Sequence, residues 1–209
     1  MDMNLEMNQK QKKVKKGMNV KKVTITGMLS ALSIVLYMTL HFHLPIMPSF
    51  ISLDFSEVPA IIAAFTLGPV YGVGVCLIKN IIHMLVSSSM WIGELSNFII
   101  GTAFTLTSGY IYKHRTKKDR KSVIISGTFG ALAMAIVGVA SNYFVIYPLY
   151  FTVWPKEAVL GMYQVILPSV KNIFEALVIF NMPFTFCKAI ICVVVVALIY
   201  KPLARIINN

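Results

Sequence analysis

Apolar residues run along this chain in blocks of about twenty, the length that spans a bilayer as a helix, separated by short polar or basic stretches. Blocks at 23–42, 95–112, 123–147 and 180–200 are unambiguous. The region 57–88 reads two ways. Residues 58–78 carry no charge and could form one span. Alternatively, Gly68-Pro69 is a turn between a short helix at 57–67 and a second at 70–88, because Gly-Pro is a turn signal and the residue before proline is biased out of helix.

Charge decides between five spans and six. Residues 10–22 hold seven lysines, residues 113–121 hold six basic residues, and Lys201 and Arg205 follow the last block. Short basic clusters beside spans mark cytoplasmic ends. Five spans would put 113–121 outside; six place all three clusters on one side. The pattern therefore predicts an all-α integral membrane protein with six transmembrane helices and both termini cytoplasmic. Its loops 43–56, 88–93 and 148–179 lie outside. The 57–67 helix is too short to cross alone and is expected to be tilted or buried among its neighbours. In the long 148–179 stretch, two helix-like segments flank Pro168.

Composition agrees. Of 209 residues, 57% are hydrophobic and 13% charged, and the mean hydropathy is +0.74. Soluble domains sit nearer 45–50% apolar and about 25% charged. Residues 1–20 read as a disordered basic tail, followed by a single membrane domain over 21–209. The basic stretch is too long for a signal peptide, so the first span is expected to stay. A net charge of +11 would suggest nucleic acid in a soluble protein, but here it lies beside spans, and no nucleic-acid partner is expected.

Polar residues fall on helical faces, since positions i, i+3, i+4 and i+7 align. The last span carries Asn181, Phe184, Thr185 and Lys188 on one stripe. The third span carries Cys76, Lys79, Asn80, His83 and Ser87; the fourth Glu94, Asn97, Gly101, Thr105 and Ser108; the fifth Gly138, Asn142 and Tyr143. Ser, Thr and Asn at such positions commonly glue helices together, and Thr105, Ser108 and Cys76 are read that way. A buried ammonium is costly and marks function. Glu94 is the expected partner of Lys79, with Asp54 and Glu57 also at hand. Lys188 has no carboxylate in its own span and is the stronger ligand candidate.

Other chemistry is missing. Cys76, Cys187 and Cys192 have no ligand spacing, and His41, His43 and His83 lack a metal-like pattern, so no metal or cofactor is expected. There is no GxxxxGK[ST], HExxH or GxSxG motif. An enzyme is disfavoured, and uphill transport would draw on an ion gradient or a partner. An ion-coupled secondary transporter would want an inverted repeat, of which only the Gly68-Pro69 break is seen.

Four stretches carry a resemblance: "LDFSEVPAIIAAFTLGPVYGVGVCLIKN" (53–80), "GELSNFIIG" (93–101), "SNYFVIYPLY" (141–150) and "MPFTFCKAII" (182–191). In order and spacing they resemble the substrate-binding (S) subunits of energy-coupling factor vitamin transporters, in particular the riboflavin branch. The resemblance covers about 22–205. It implies a subunit that binds a vitamin from outside and associates with a transmembrane T subunit and two cytoplasmic ATPases. Gly27 and Ala31, spaced by four near the cytoplasmic end, resemble the docking site for the T subunit. One departure is Thr185, where the family pattern has Asn; Asn181 lies one turn earlier on the same face. Riboflavin wants apolar walls with a few placed polar groups. Leu44, Met47, Phe50 and Leu53 of the 43–56 loop are candidate walls or lid. Candidate polar and aromatic contacts are Asp54, Glu57, Lys79, Asn80, Glu94, Asn97, Asn142, Tyr143, Asn181, Phe184, Thr185 and Lys188, around a cavity near the extracellular side. An S subunit for another vitamin, such as biotin or thiamine, is the alternative.

Overall fold

A computed structural model describes residues 20–48, 51–87 and 89–208. Nearly all of the expected disordered tail, and Phe50, lie outside them. Helix α1 is Val20–Thr39. Two short strands, β1 (His41–Phe42) and β2 (Leu53–Asp54), pair antiparallel with His41 opposite Asp54. Helix α2 is Glu57–Thr66 and α3 is Pro69–His83, continued by a 3₁₀ turn to Val86. The break between them sits at Gly68, whose φ of 120° is a region that favours glycine, with Pro69 at the start of α3, where its missing N–H costs nothing. The Gly-Pro turn thus separates two helices as the sequence predicts.

Helix α4 is Ile92–His114 and α5 is Arg120–Ser141. A π turn over Asn142–Ile146 carries α5 into α6, Tyr147–Tyr150. Helix α7 is Lys156–Gln164. Helix α8, Ile173–Ala176, runs through a second π turn, Leu177–Asn181, into α9, Met182–Asn208. This corrects the expected loop boundaries. The last apolar helix begins at Ile173 rather than near 180, and the fifth reaches Tyr150, so the excursion between them is 151–172. Only its first helix-like segment forms a separate helix; the second is the start of the last span.

Four helical stretches are long and apolar enough to cross a membrane: Val20–Thr39, Pro69–Val86, Arg120–Tyr150 and Ile173–Tyr200. Helix α4 has 23 residues, about 35 Å at 1.5 Å per residue, but is richer in Ser, Thr and Asn. Helix α2 is the short one, and every residue from Glu57 to Phe65 is buried. It packs against α1, α3, α4 and α9, so the helix too short to cross sits inside the bundle.

Small residues let these helices approach closely. A Cβ added at Gly130 of α5 would fall 1.8 Å from Ser108 Oγ, and one at Gly127 would fall 2.5 Å from Val193 Cγ2. Gly127 and Gly130 are therefore used for packing inside the chain. Gly27 differs, because a Cβ there meets nothing within 4 Å.

The two ends of the bundle have opposite character. At one end lie the start of α1, the Gly68 turn, the α4–α5 connection and Tyr200. Lys22 stands over the Tyr71 ring at 5.5 Å and Lys118 over Tyr112 at 4.6 Å, and the Tyr112 and Tyr200 hydroxyls meet. Asp119 caps α5 by accepting from Ser122 N at 2.8 Å, which holds its carboxyl below the usual carboxylate range. The 113–121 cluster and the start of α1 thus share this end. The β1–β2 pair, residues 89–91 and α6–α8 form the other.

Candidate ligand-binding site

The turn "DFSE" between β2 and α2 is where the charged groups collect. Asp54 and Glu57 bracket the N-terminus of α2, a position where the helix dipole favours carboxylates. Asp54 Oδ1 accepts from Ser56 N at 2.9 Å and from Ser56 Oγ, while Ser33 Oγ of α1 donates to Ser56 O at 2.5 Å. Two lysines from different helices then close on this turn. Lys79 Nζ of α3 lies 2.6 Å from Glu57 Oε1 and 2.6 Å from Ser56 Oγ. Lys188 Nζ of α9 lies 2.7 Å from Asp54 Oδ2.

One expectation is corrected here: Lys79 pairs with Glu57, not Glu94. Lys188, which has no carboxylate in its own span, takes its partner from 134 positions away in the chain. Glu94 instead accepts at Oε2 from Ser87 and Ser89, at 2.8 and 2.9 Å, and its Oε1 lies 2.8 Å from His83 Nδ1. The His83 ring stacks on Tyr37 with centroids 3.8 Å apart, and Asn97 Nδ2 donates to Tyr37 Oη at 2.5 Å.

A cavity of about 610 Å³ opens above this turn, at the end of the bundle away from the basic clusters. Ligand pockets commonly span roughly 300–1,000 Å³. Seven of the sequence-derived candidates line it: Glu94, Asn97, Asn142, Asn181, Phe184, Thr185 and Lys188. Seven aromatic or histidine side chains, Tyr37, His41, His43, His83, Tyr147, Tyr150 and Trp154, also line it, together with small and aliphatic residues and with Ile51 and Ser52 of the hairpin excursion. Tyr150 and Trp154 stack nearly parallel, 7° apart.

Other candidates lie off the cavity wall. Met47 is buried, and Leu44 and Leu53 are half-buried in the hairpin excursion; Phe50 lies outside the described residues. Asp54, Glu57 and Lys79 lie in the charged turn beneath, and Asn80 turns back to donate to Cys76 O at 2.8 Å. Tyr143 faces away, edge-on to Phe144 and Phe174, and lines a separate hollow with Lys156 and Asn172. It is next to Asn142 in sequence, but consecutive helical positions point about 100° apart.

The sequence held a signal for the aromatic wall. Each π turn directly precedes a helix with proline in its first residues, Pro148 and Pro183. A proline ring inside a helix clashes with the carbonyl four residues back, and a widened turn accommodates it; such π turns are frequent at functional sites. They carry Asn142 and Asn181, and the first lets the fifth helix continue to bring Tyr147 and Tyr150 onto the cavity.

Comparison with known proteins places this architecture. Residues 21–200 match the family model for the substrate-specific component of ECF transporters. The chain belongs to that family. A riboflavin transporter RibU of Staphylococcus aureus (strain TCH60) is 35% identical over 189 residues, covering 90% of this chain and 93% of the relative. The riboflavin transporter FmnP of Bacillus subtilis (strain 168) is 34% identical over 186 residues, 88% and 92% of the two chains. A solved structure described as the S component of a bacterial ECF transporter superposes with a TM-score of 0.71 at 33% identity, covering 92% of this chain and all of that one. The ECF substrate-specific component is thus the frame for the cavity: a membrane protein of a transporter family, not a family of enzymes.

Proposed function

We propose that this chain is the riboflavin-specific S subunit of an ECF transporter. It would capture the vitamin outside the bacterial cytoplasmic membrane and release it inside with a T subunit and two ATPase subunits. The observation that carries the reading is the cavity wall. Asn142, Asn181, Thr185 and Lys188 line it together with Tyr147, Tyr150 and Trp154, the combination of polar groups and aromatic surface that suits a flat ring with polar edges and a hydroxylated chain. The names of the relatives support riboflavin over biotin or thiamine, and a cationic ligand such as thiamine would meet Lys188 unfavourably.

Topology follows from the two ends. The basic end is cytoplasmic and the cavity end extracellular, with six crossings that count the buried α2. A cysteine introduced at Lys117 should resist an impermeant thiol reagent added from outside, and one at Pro155 should react; the reverse pattern sinks the orientation. Gly27 and Ala31, on an α1 face open to the exterior of the bundle, are the docking site for the T subunit. Bulky replacements there should abolish uptake while leaving binding to the isolated subunit intact.

The direct test is binding. Purified protein should quench riboflavin fluorescence saturably at one ligand per chain, and protein prepared from flavin-replete cells should be yellow. A folded preparation that quenches no riboflavin but binds biotin or thiamine would replace this reading with the alternative.

A further inference from the structure

Tyr163 of α7 is completely buried, yet it does not line the cavity. Its hydroxyl donates to Asn181 Oδ1 at 2.8 Å and meets the hydroxyl of Tyr147 on its other side. Asn181 and Tyr147 both do line the cavity. Tyr163 also packs its ring on Phe180, with centroids 5.4 Å apart. A residue of the 151–172 excursion therefore touches both side chains from behind, outside any ligand's reach.

Asn181 needs such support. It is the last residue of a π turn, where the backbone departs from the regular helix, and its carboxamide has two chemically different ends that rotation would exchange. An oxygen can only accept and the NH2 can only donate. A hydroxyl donating to Oδ1 holds the oxygen toward α7 and fixes which end of the amide is offered to a ligand. Asn142 is held in the same manner, its Oδ1 accepting from Ser96 Oγ at 2.9 Å. Two asparagines on different helices thus have their oxygens occupied by protein hydroxyls.

We infer that Tyr163 is a positioning residue for ligand recognition: by donating to Asn181 Oδ1 it orients the carboxamide so that its N–H side meets an acceptor on the ligand. The inference rests on the riboflavin reading, whose ring edge carries carbonyl and ring-nitrogen acceptors. It makes α7 part of the specificity apparatus rather than a surface connection.

The test is a double-mutant cycle on the full chain, read by riboflavin fluorescence quenching. Tyr163→Phe keeps the ring and removes only the hydroxyl. It should weaken riboflavin binding about 2- to 12-fold, the range a neutral hydrogen bond spans. In an Asn181→Ala background the same substitution should cost less than about 1.5-fold, because nothing remains to be oriented. A purely structural Tyr163 predicts equal losses in both backgrounds, and that result, or no loss in either, overturns the inference while leaving riboflavin binding standing. Wild-type protein that binds no riboflavin overturns both readings. If Tyr163→Phe does not fold, Tyr163→Met, an adaptable apolar side chain, carries the cycle. Failure of both to fold assigns Tyr163 to structure alone and ends the proposal.

Discussion

Lys79 and Lys188 arrive at one turn from two helices, each ending within 2.7 Å of a carboxylate, and they differ in what lies on their other side. Lys79 is sealed. It and Glu57 are each 1% exposed, its ammonium is shared between Glu57 and Ser56, and the Tyr37 ring lies 5.5 Å away. Lys188 is 5% exposed and lines the cavity, with Asp54 as its one side-chain acceptor among the described residues. An ammonium carries three donors, so Lys188 keeps up to two for a ligand where Lys79 has few to spare. A buried charge in a membrane domain is thus not in itself a binding group. What separates a structural lysine from a ligand lysine is whether its remaining hydrogens have somewhere to go.

The largest effect should come from unsealing the sealed pair. Lys79→Met leaves the Glu57 carboxylate buried without its cation, and breaking such a pair costs about 3–5 kcal/mol. Whole domains are stable by only about 5–15 kcal/mol, so the variant should melt far below wild type in detergent. Adding Glu57→Gln removes the orphaned charge and should recover most of the loss. A Lys79→Met protein with wild-type melting would erase the distinction between the two lysines.

How the turn was assembled could be read only in part from the chain. Gly68-Pro69 and the basic clusters are local signals, because a proline acts on its neighbours and a topology rule acts on loops. The stripe Asn181, Phe184, Thr185 and Lys188 is likewise local, set by helical periodicity, and all four residues line the cavity. Pairing is not local. Asp54 and Lys188 are far apart in sequence, and three carboxylates lay within plausible reach of Lys79, so choosing Glu57 over Glu94 needed the packing of α2 inside the bundle. The aromatic wall was hidden for another reason. Tyr147, Tyr150 and Trp154 follow Pro148 or flank it, where a simple reading ends the helix, whereas a π turn carries it past the proline.

A smaller effect on folding and a larger one on ligand should follow at the other lysine. Lys188→Met should weaken riboflavin binding about 10- to 150-fold, since hydrogen bonds to charged groups are worth about 1.5–3 kcal/mol. It also leaves Asp54 without its cation, so the melting temperature should fall, though less than for Lys79→Met, because Ser56 N and Oγ still donate to Asp54 and the cavity can admit water. Lys188→Met with Asp54→Asn should restore melting without restoring affinity. Recovery of affinity in the double variant would place Lys188 in a structural role like that of Lys79.

The smallest expected effect compares two glycines that face the two regions. An added Cβ at Gly101 falls 3.0 and 3.1 Å from the Glu57 oxygens and 3.2 Å from Cys76 Sγ, whereas one at Gly138 meets only Ile100 Cγ2 at 3.5 Å and Thr185 Cγ2 at 3.9 Å. Both positions are helical, so Gly→Ala gains roughly 0.5–1 kcal/mol from backbone entropy at either. At Gly138 nothing opposes that gain, and Gly138→Ala should melt at or slightly above wild type with riboflavin binding little changed. At Gly101 the methyl must push a carboxylate already fixed by Lys79, and overpacking of this kind costs about 1–3 kcal/mol. The balance runs from near zero to about 2.5 kcal/mol of destabilisation, so Gly101→Ala should melt below Gly138→Ala. In the Lys79→Met/Glu57→Gln background the Gln side chain is neutral and no longer pinned by an ammonium, and the penalty at Gly101 should shrink. An unchanged penalty there would mean that Cys76 rather than the ion pair makes the site tight, and the rigidity assigned to the sealed pair would have to be reassigned to helix packing.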